Sequence, residues 1–293
     1  MRQIFTGSGV ALITPFKNDS EIDYESIGML VDFQIASGTD YLVALGTTAE
    51  TPALSETEKK QVVEAVRLKN KSRVPLVVGF GGNNTKKLTE QIKSFDFQEI
   101  DAILSVTPYY NKPTQEGMYR HFMEVAAASP VPVILYNVPS RTGVNLEADT
   151  VSRLADASGK FAGIKEASGN LAQMTQIMKE TRDNFLLISG DDAIAVPVIS
   201  IGGNGVISVI ANALPSRLST MIRLALDGNF REAGKLHDEM SVLFSLLFKE
   251  GNPGGIKALL HIMGLISNEL RLPSYKVSDR LYQEISSAYE KLG

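Results

Sequence analysis

Short runs of apolar residues recur along the chain, and each is followed by a polar stretch with helical spacing. The runs are continuous rather than alternating, which is typical of strands buried on both faces of a parallel sheet. Eight runs occur, and they cover residues 9–13, 41–45, 75–79, 102–106, 131–136, 161–164, 185–188 and 205–210. This repeated alternation predicts eight βα units.

The stretches between the runs carry helix signals. Residues 55–58 (SETE) form a capping box ahead of a segment whose apolar positions include Val62. Asp23 is a second candidate helix start, since Ile27 begins an apolar face behind it and Gly38 ends the pattern. Both segments therefore predict helices that pack against the sheet.

Eight βα units favour a (β/α)8 barrel, the TIM-barrel architecture, over a doubly wound open sheet. The open sheet is disfavoured because no G-x-G-x-x-G motif follows the first strand. After residue 213 the strand pattern disappears and helical patterns begin. The predicted helices there cover 218–226, 233–248, 256–266 and 277–289. We therefore expect a barrel core over residues 1–213 and C-terminal helices over 214–293 that pack on it.

Composition narrows the possible chemistry. The chain has 293 residues, a formal net charge of −4 and no cysteine, which excludes disulfides, thiolate metal sites and a thiol nucleophile. The three histidines, His121, His237 and His261, are far apart in sequence, so a histidine zinc site or a Ser-His-Asp triad is disfavoured. We expect no metal. The acidic balance argues against a nucleic-acid partner.

One uncharged stretch, residues 193–214, is long enough to span a bilayer. It contains Pro197 and the sequence GGNG at 202–205, which do not suit a lipid-exposed helix. We interpret it as a short helix, a turn and a buried strand. The first residues lack the apolar segment of a signal peptide, so the expectation is a cytoplasmic protein without a membrane partner.

Lys165 directly follows apolar residues and is expected at the end of a buried strand. The carboxyl ends of barrel strands are where active sites lie. An amine held away from water is more readily neutral, and a neutral amine attacks a carbonyl to form a Schiff base. A lysine that extends to solvent, or that pairs with Glu166, fits the same pattern.

Other reactive side chains follow other predicted strands. The phenol of Tyr136 suits proton transfer near an imine, although a core tyrosine fits equally. Arg141 suits a substrate carboxylate, or lies on a surface loop. Thr47 and Thr48 offer hydroxyls and backbone amides to a carboxylate, or cap a strand end. Together these residues make a coherent imine-forming site for an oxo acid.

Several segments resemble the motifs of the dihydrodipicolinate synthase family, within the pyruvate-dependent class I aldolase superfamily that includes N-acetylneuraminate lyase. The matching segments are 46–50 (GTTAE), 107–111 (TPYYN), 136–143 (YNVPSRTG), 163–167 (GIKEA) and 189–192 (SGDD). The resemblance extends from about residue 7 to the C-terminal helices. Ala49 departs from it, because the family commonly has glycine there.

The resemblance implies a reaction that needs no metal and no organic cofactor. Lys165 would form a Schiff base with pyruvate, and the enamine would attack L-aspartate-4-semialdehyde to give 4-hydroxy-tetrahydrodipicolinate, in lysine and diaminopimelate biosynthesis. Tyr136, Thr48 and Tyr110 would relay protons. Tyr110 would come from a neighbouring subunit of a homotetramer, a dimer of dimers.

The resemblance also implies binding roles. Thr47 and Thr48 would hold the carboxylate of pyruvate, and Arg141 would bind the carboxylate of the semialdehyde. Gly190 and Ile207 would line the pocket. Two alternatives stay open: a lyase of the same superfamily acting on N-acetylneuraminate or a 2-keto-3-deoxy sugar acid, which Arg141 disfavours, and a non-catalytic barrel that senses an oxo acid.

The resemblance bears on regulation by L-lysine as well. In feedback-inhibited family members, lysine binds at the dimer interface near the loop after the Thr-Thr motif. Lys87 stands at the position of the acidic residue that accepts the ligand's α-amino group, and Glu56 and Lys59 stand at the positions of histidines. A cation there repels the ligand's ammonium group, so we expect little or no sensitivity to lysine.

Overall fold

The computed structural model describes residues 4–292, so residues 1–3 and 293 of the expected domain ranges lie outside the described residues. Within this range eight parallel strands close into one barrel in chain order, and the first strand pairs with the last. The strands are β1 (Gly7–Ala11), β2 (Tyr41–Ala44), β3 (Leu76–Phe80), β4 (Ala102–Val106), β5 (Val133–Asn137), β6 (Phe161–Glu166), β7 (Leu186–Ser189) and β8 (Gly205–Ser208). Each predicted apolar run overlaps one strand, and the (β/α)8 prediction is confirmed.

Helices cover the outside of the barrel and continue beyond it. They are α1 (Tyr24–Ala36), α2 (Glu56–Asn70), α3 (Thr85–Lys93), α4 (Gln115–Ala128), α5 (Pro139–Thr142), α6 (Ala148–Ala157), α7 (Leu171–Glu180), α8 (Ala195–Ser200), α9 (Pro215–Leu226), α10 (Phe230–Leu246), α11 (Gly254–Ile262) and α12 (Asp279–Glu290). The predicted capping box forms, because Ser55 accepts from the backbone of Glu58 and the Glu58 side chain accepts from the backbone of Ser55. Asp23 caps α1 as predicted.

The strands are buried on both faces, which explains their continuous apolar runs. Side chains that point inward fill the barrel, and they include Tyr41 and Ile134. Side chains that point outward pack under the helices. The uncharged stretch 193–214 becomes α8, a turn and β8, as interpreted from its sequence. None of the helices within residues 4–292 has both the length and the apolar character that a membrane span requires.

The helices after β8 pack on the barrel. Helix α9 lies against β1 and α8, and α10 lies against α8 and α9. Helix α11 contacts the turn that follows β8. The segment from Asn252 to Arg271 contacts the loop after β2, at the carboxyl-terminal face of the barrel. This part of the chain therefore takes part in building that face.

Candidate active site at the carboxyl ends of the strands

A cavity of about 570 Å³ opens at the carboxyl ends of the strands. Its walls include six of the residues predicted for the site: Thr47, Thr48, Tyr136, Arg141, Lys165 and Gly190. These residues come from the ends of β2, β5, β6 and β7 and from the loops that follow them. Barrel closure therefore brings together side chains that are far apart in sequence.

Lys165 is a buried lysine that projects into this cavity. It lies opposite Tyr136 in the register between β6 and β5. The residue is 6% exposed, and its Nζ lies 4.4 Å from the centroid of the Tyr136 ring. No ion pair forms on Lys165 within residues 4–292. The amine is therefore available to a ligand.

Glu166 does not pair with this lysine, because successive side chains of a strand point to opposite faces. Its carboxylate accepts hydrogen bonds from the Ser168 backbone at 2.7 Å, and from the side chains of Asn137 and Gln173 at 2.9 Å each. The alternative of a Lys165–Glu166 pair is thus not realised. The polar network around Glu166 holds the end of β6 from its outer side.

Gly190 leaves space for the lysine side chain. A Cβ at residue 190 would lie 2.6 Å from the Cβ of Ala167 and 3.1 Å from the Cε of Lys165. The first distance is too short for two carbon atoms that are not bonded to each other, so a side chain there would displace its neighbours. The close approach of the chain to Lys165 therefore requires glycine at this position.

The Thr pair lies in a tight turn after β2. Residues Thr47–Ala49 form one turn of 3-10 helix, and Thr48 is 2% exposed. The hydroxyl of Thr14 donates to the carbonyl of Ala49 at 2.8 Å. Ala49 lies within a right-handed turn that any L residue adopts, so its methyl group is accommodated where the family commonly has glycine.

Glu50 ends this turn and joins it to the C-terminal part of the chain. It adopts a left-handed conformation, with φ of 53°. Its carboxylate accepts from Nζ of Lys257 at 2.5 Å and from the backbone of Arg271 at 3.1 Å. Burial lowers the pKa of Lys257, and the negative charge of Glu50 opposes that shift. A buried ion pair therefore joins the loop to α11.

Sequence reasoning missed Lys257 and Asn252. Asn252 lines the cavity and donates from Nδ2 to the hydroxyl of Thr48 at 3.0 Å. Lys257 is fully buried within the apolar face of α11. A lysine inside such an apolar segment was the available signal, because a buried lysine needs a partner.

Arg141 lies in α5 on the wall of the cavity, and its side chain is exposed. Neither a hydrogen bond nor an ion pair joins its guanidinium group to another residue of the described range 4–292. The group is thus free to receive an anion. This geometry matches the requirement of a carboxylate-binding arginine.

Two predicted site residues do not line the cavity. Tyr110 is 85% exposed in the loop after β4, with φ of 74°, and it is not part of the cavity wall. Ile207 is 1% exposed and belongs to the interior cluster that also contains Tyr136. Val209, two residues later, lines the cavity instead. Ile207 lies within β8 and packs in the barrel interior, whereas Val209 follows the end of that strand.

A closed (β/α)8 barrel with a buried lysine below a cavity at the strand ends is the arrangement of the class I aldolases, which form a Schiff base with a carbonyl substrate. No group of three or more His, Asp or Glu side chains suited to a metal ion occurs within residues 4–292. A model of the dihydrodipicolinate synthetase family matches residues 4–292, and the chain belongs to that family.

Similar proteins agree with this assignment. The 4-hydroxy-tetrahydrodipicolinate synthase of Parabacteroides distasonis is 51% identical over 286 residues, which are 98% of this chain and 96% of the relative. A chloride-inhibited dihydrodipicolinate synthase from Acinetobacter baumannii, solved in complex with pyruvate, is 38% identical with a TM-score of 0.96 over 99% of both chains. The enzyme from Cyanidioschyzon merolae, solved with lysine bound, is 35% identical with a TM-score of 0.96 over 100% of this chain and 99% of that one.

Proposed function

We propose that this protein condenses pyruvate with L-aspartate-4-semialdehyde to 4-hydroxy-tetrahydrodipicolinate, in the route to diaminopimelate and lysine. Family membership over residues 4–292 and the 51% identical synthase support this activity. The observation that carries the proposal is the unpaired amine of Lys165 in a cavity that also holds the free guanidinium of Arg141. One group suits a ketone and the other suits a carboxylate.

The reaction begins when Nζ of Lys165 attacks the keto carbon of pyruvate. Loss of one water gives the Schiff base, and loss of a proton from the methyl carbon gives an enamine. The enamine carbon then attacks the aldehyde carbon of the second substrate. The amine of that substrate attacks the imine carbon, closes the ring and releases Lys165, so that one water is lost overall.

Each proton transfer needs a donor or acceptor close to the imine. Tyr136 fits this role because the Lys165 amine lies 4.4 Å from its ring centroid. Thr48 would extend the relay, and Thr47 and Thr48 would bind the pyruvate carboxylate through the turn that they form. Arg141 would bind the carboxylate of the semialdehyde. These roles need no metal and no organic cofactor.

Tyr110 would complete the relay from a neighbouring subunit. Its 85% exposure supports this role, because an exposed aromatic side chain on a loop beside the site is suited to contact another copy of the chain. The active form would then be at least a dimer, and we propose a homotetramer built as a dimer of dimers. A cytoplasmic location is part of the same proposal.

Borohydride trapping tests the central step. Pyruvate and borohydride should give a stable mass increase on the peptide that contains Lys165, and Lys165→Ala should abolish it and lower turnover by several orders of magnitude. Lys160→Ala is a matched control, because it removes a lysine that directly precedes β6. Condensation by Lys165→Ala at a rate near that of the wild type would refute the mechanism. Trapping without turnover of aspartate semialdehyde, combined with cleavage of a sugar acid, would instead identify another lyase of the superfamily.

A further inference from the structure

The segment between α10 and α11 reaches the active-site cavity through the side chain of Asn252. Its Nδ2 donates to Oγ1 of Thr48 at 3.0 Å, and both residues lie on the wall of the same cavity. The two residues are 204 positions apart, so their contact depends on how the C-terminal segment packs on the barrel. The proposed reaction does not yet give Asn252 a role.

The direction of this hydrogen bond decides what the Thr48 hydroxyl can do. A hydroxyl has one proton to donate and two lone pairs that accept. Asn252 occupies one lone pair, so the proton of Thr48 is directed away from the amide. The Thr48 side chain makes no other hydrogen bond to any residue in the range 4–292. Its proton is therefore available to Tyr136 or to a group in the cavity.

The orientation of the Asn252 amide follows from counting which of its donors and acceptors have a hydrogen-bond partner. The Oδ1 atom of Asn252 is buried and has no protein partner within the described range. The reversed amide would turn both N–H donors into that buried position. The observed orientation pairs one of the two N–H donors with Thr48, whereas the reversed amide would pair neither. Buried N–H groups without a partner are rarer in proteins than buried carbonyl oxygens without one, so the observed orientation is the favoured one.

The segment that carries Asn252 is attached firmly to the Thr48 loop. Glu50, two residues after Thr48, binds Lys257 at 2.5 Å and the backbone of Arg271 at 3.1 Å. These contacts lie on the C-terminal side of Asn252. The amide is therefore held in a fixed position relative to the hydroxyl, which is what orienting a proton requires.

We propose that Asn252 is a positioning residue for the reaction: by donating to Thr48, it keeps the Thr48 proton available to the relay with Tyr136. This inference rests on the proposed function. Asn252 acts through Thr48 and does not exchange protons with the substrate. Its removal should therefore slow the proton-transfer steps and leave pyruvate binding largely unchanged.

A double-mutant cycle tests this dependence. Asn252→Ala should lower kcat by roughly ten- to a hundredfold, part of the 10²- to 10⁴-fold that positioned proton transfer supplies, while KM for pyruvate changes by less than about threefold. In the Thr48→Val background, Asn252→Ala should change kcat by less than about twofold, because the hydroxyl that it orients is gone. Equal effects in both backgrounds would overturn the proposal.

Asn252→Asp tests the direction of the bond with a side chain of the same shape, and it carries the test if the alanine variant does not fold. Its carboxylate only accepts, so it takes the Thr48 proton and removes it from the relay. We expect kcat at neutral pH to fall at least as far as in the alanine variant, and to recover as acidification protonates the carboxylate. Full activity at neutral pH would overturn the proposal, because the amide oxygen would then be the functional atom.

Glu250→Gln is the structural control. Glu250 lies two residues before Asn252 and holds the same segment by accepting from the backbone and hydroxyl of Ser278, at 2.7 and 2.6 Å. It should leave kcat within about twofold of the wild type. A loss as large as that of Asn252→Ala would show that a loosened segment is sufficient, and would overturn the proposal.

Failure of the proposed function and failure of this inference give different results. If the proposed function is wrong, the wild type fails to condense the two substrates. If only this inference is wrong, the wild type is active and the effects of Asn252→Ala and Thr48→Val on kcat are additive. The cycle can also be measured on the rate of imine formation with pyruvate alone. A wild type that forms no imine overturns both proposals.

Discussion

Replacement of Glu50 by glutamine would leave the ammonium group of Lys257 buried without its counter-charge. The two side chains are 1% and 0% exposed, and Nζ lies 2.5 Å from Oε1 of Glu50. The neighbours that remain are the carbonyl oxygen of Glu269 at 2.9 Å and the ring of Phe16, whose centroid is 4.2 Å away. Neither carries a full charge, and the carboxylate of Glu269 favours the ammonium form less than Glu50 does. The nearby Arg271 is positive and disfavours the ammonium form.

The size of the effect has a lower and an upper bound. Removal of one partner from a buried ion pair costs about 3–5 kcal/mol. The lysine can escape that cost by losing its proton. Its pKa in the folded protein is lowered to about 8, so loss of the proton at pH 7 costs only about 1.4 kcal/mol, at 1.36 kcal/mol per unit. The amide of glutamine retains one acceptor for Lys257. We therefore expect Glu50→Gln to lower the free energy of unfolding by about 1.5–4 kcal/mol.

Urea unfolding at pH 7, followed by circular dichroism at one fixed protein concentration, measures this change. Glu232→Gln is the matched control, since its partner Lys235 lies 2.8 Å away in a pair that is 61% and 43% exposed. The control should cost less than about 0.5 kcal/mol. The double variant Glu50→Gln, Lys257→Met should recover most of the loss, because it removes both charges. A cost for Glu50→Gln below about 1 kcal/mol would refute the reasoning.

Three further predictions concern the second substrate, regulation and pH. Arg141→Ala should lower kcat/KM for aspartate semialdehyde by roughly 30- to 1000-fold, equivalent to about 2–4 kcal/mol, and leave the rate of imine formation with pyruvate within threefold; equal losses for both would indicate a structural arginine. L-Lysine at millimolar concentration should inhibit only weakly or not at all in a titration, because the exposed Lys87 repels its ammonium group, and strong inhibition below 1 mM would contradict this. Burial lowers the pKa of His121 to about 4, so the unfolded chain binds more protons than the fold between about pH 6.5 and 4, and up to about 3 kcal/mol of stability should be lost on acidification through this window. Urea unfolding at several pH values measures how steeply the free energy of unfolding falls with decreasing pH. This dependence should be weaker in His121→Gln than in the wild type, and unchanged in His261→Gln, because His261 is exposed.

The strands could be predicted because burial on both faces produces unbroken apolar runs, but their ends could not. The first run covers 9–13, whereas β1 is Gly7–Ala11. Leu12 and Ile13 are as buried as strand residues, yet the backbone of Ile13 donates to the side chain of Asn212. Hydrophobicity reports burial, and it does not report where a neighbouring strand stops pairing.

The same limit applies to the helices after the barrel. The apolar pattern predicts a helix over 256–266, whereas α11 ends at Ile262. Ile266 is still buried because the chain turns at Gly264 and returns toward the core. His261 stabilises this return, since its Nδ1 lies 3.0 Å from the carbonyl oxygen of Ile266.

The part of the site made by strand ends could be predicted, because topology alone brings those ends together. Lys165, Tyr136 and Arg141 belong to that part. Asn252 could not be found in this way, since it follows the last strand by more than 40 residues and no local pattern indicates that its segment covers the barrel mouth. Only the tertiary packing of the C-terminal segment brings it to Thr48.

Protein synthesis makes the two sides of the Thr48–Asn252 contact at very different times. At about 5–20 residues per second, the 204 residues between them take about 10 to 40 s to translate. Strand β1 likewise cannot form its pairing with β8 until β8 has been synthesised, because Gly7 pairs with Gly205. The growing chain therefore holds unpaired strand edges for many seconds, a state that favours aggregation and recruits chaperones. We expect Lys165 to become a working nucleophile only after the C-terminal helices have left the ribosome, long after the lysine itself is made.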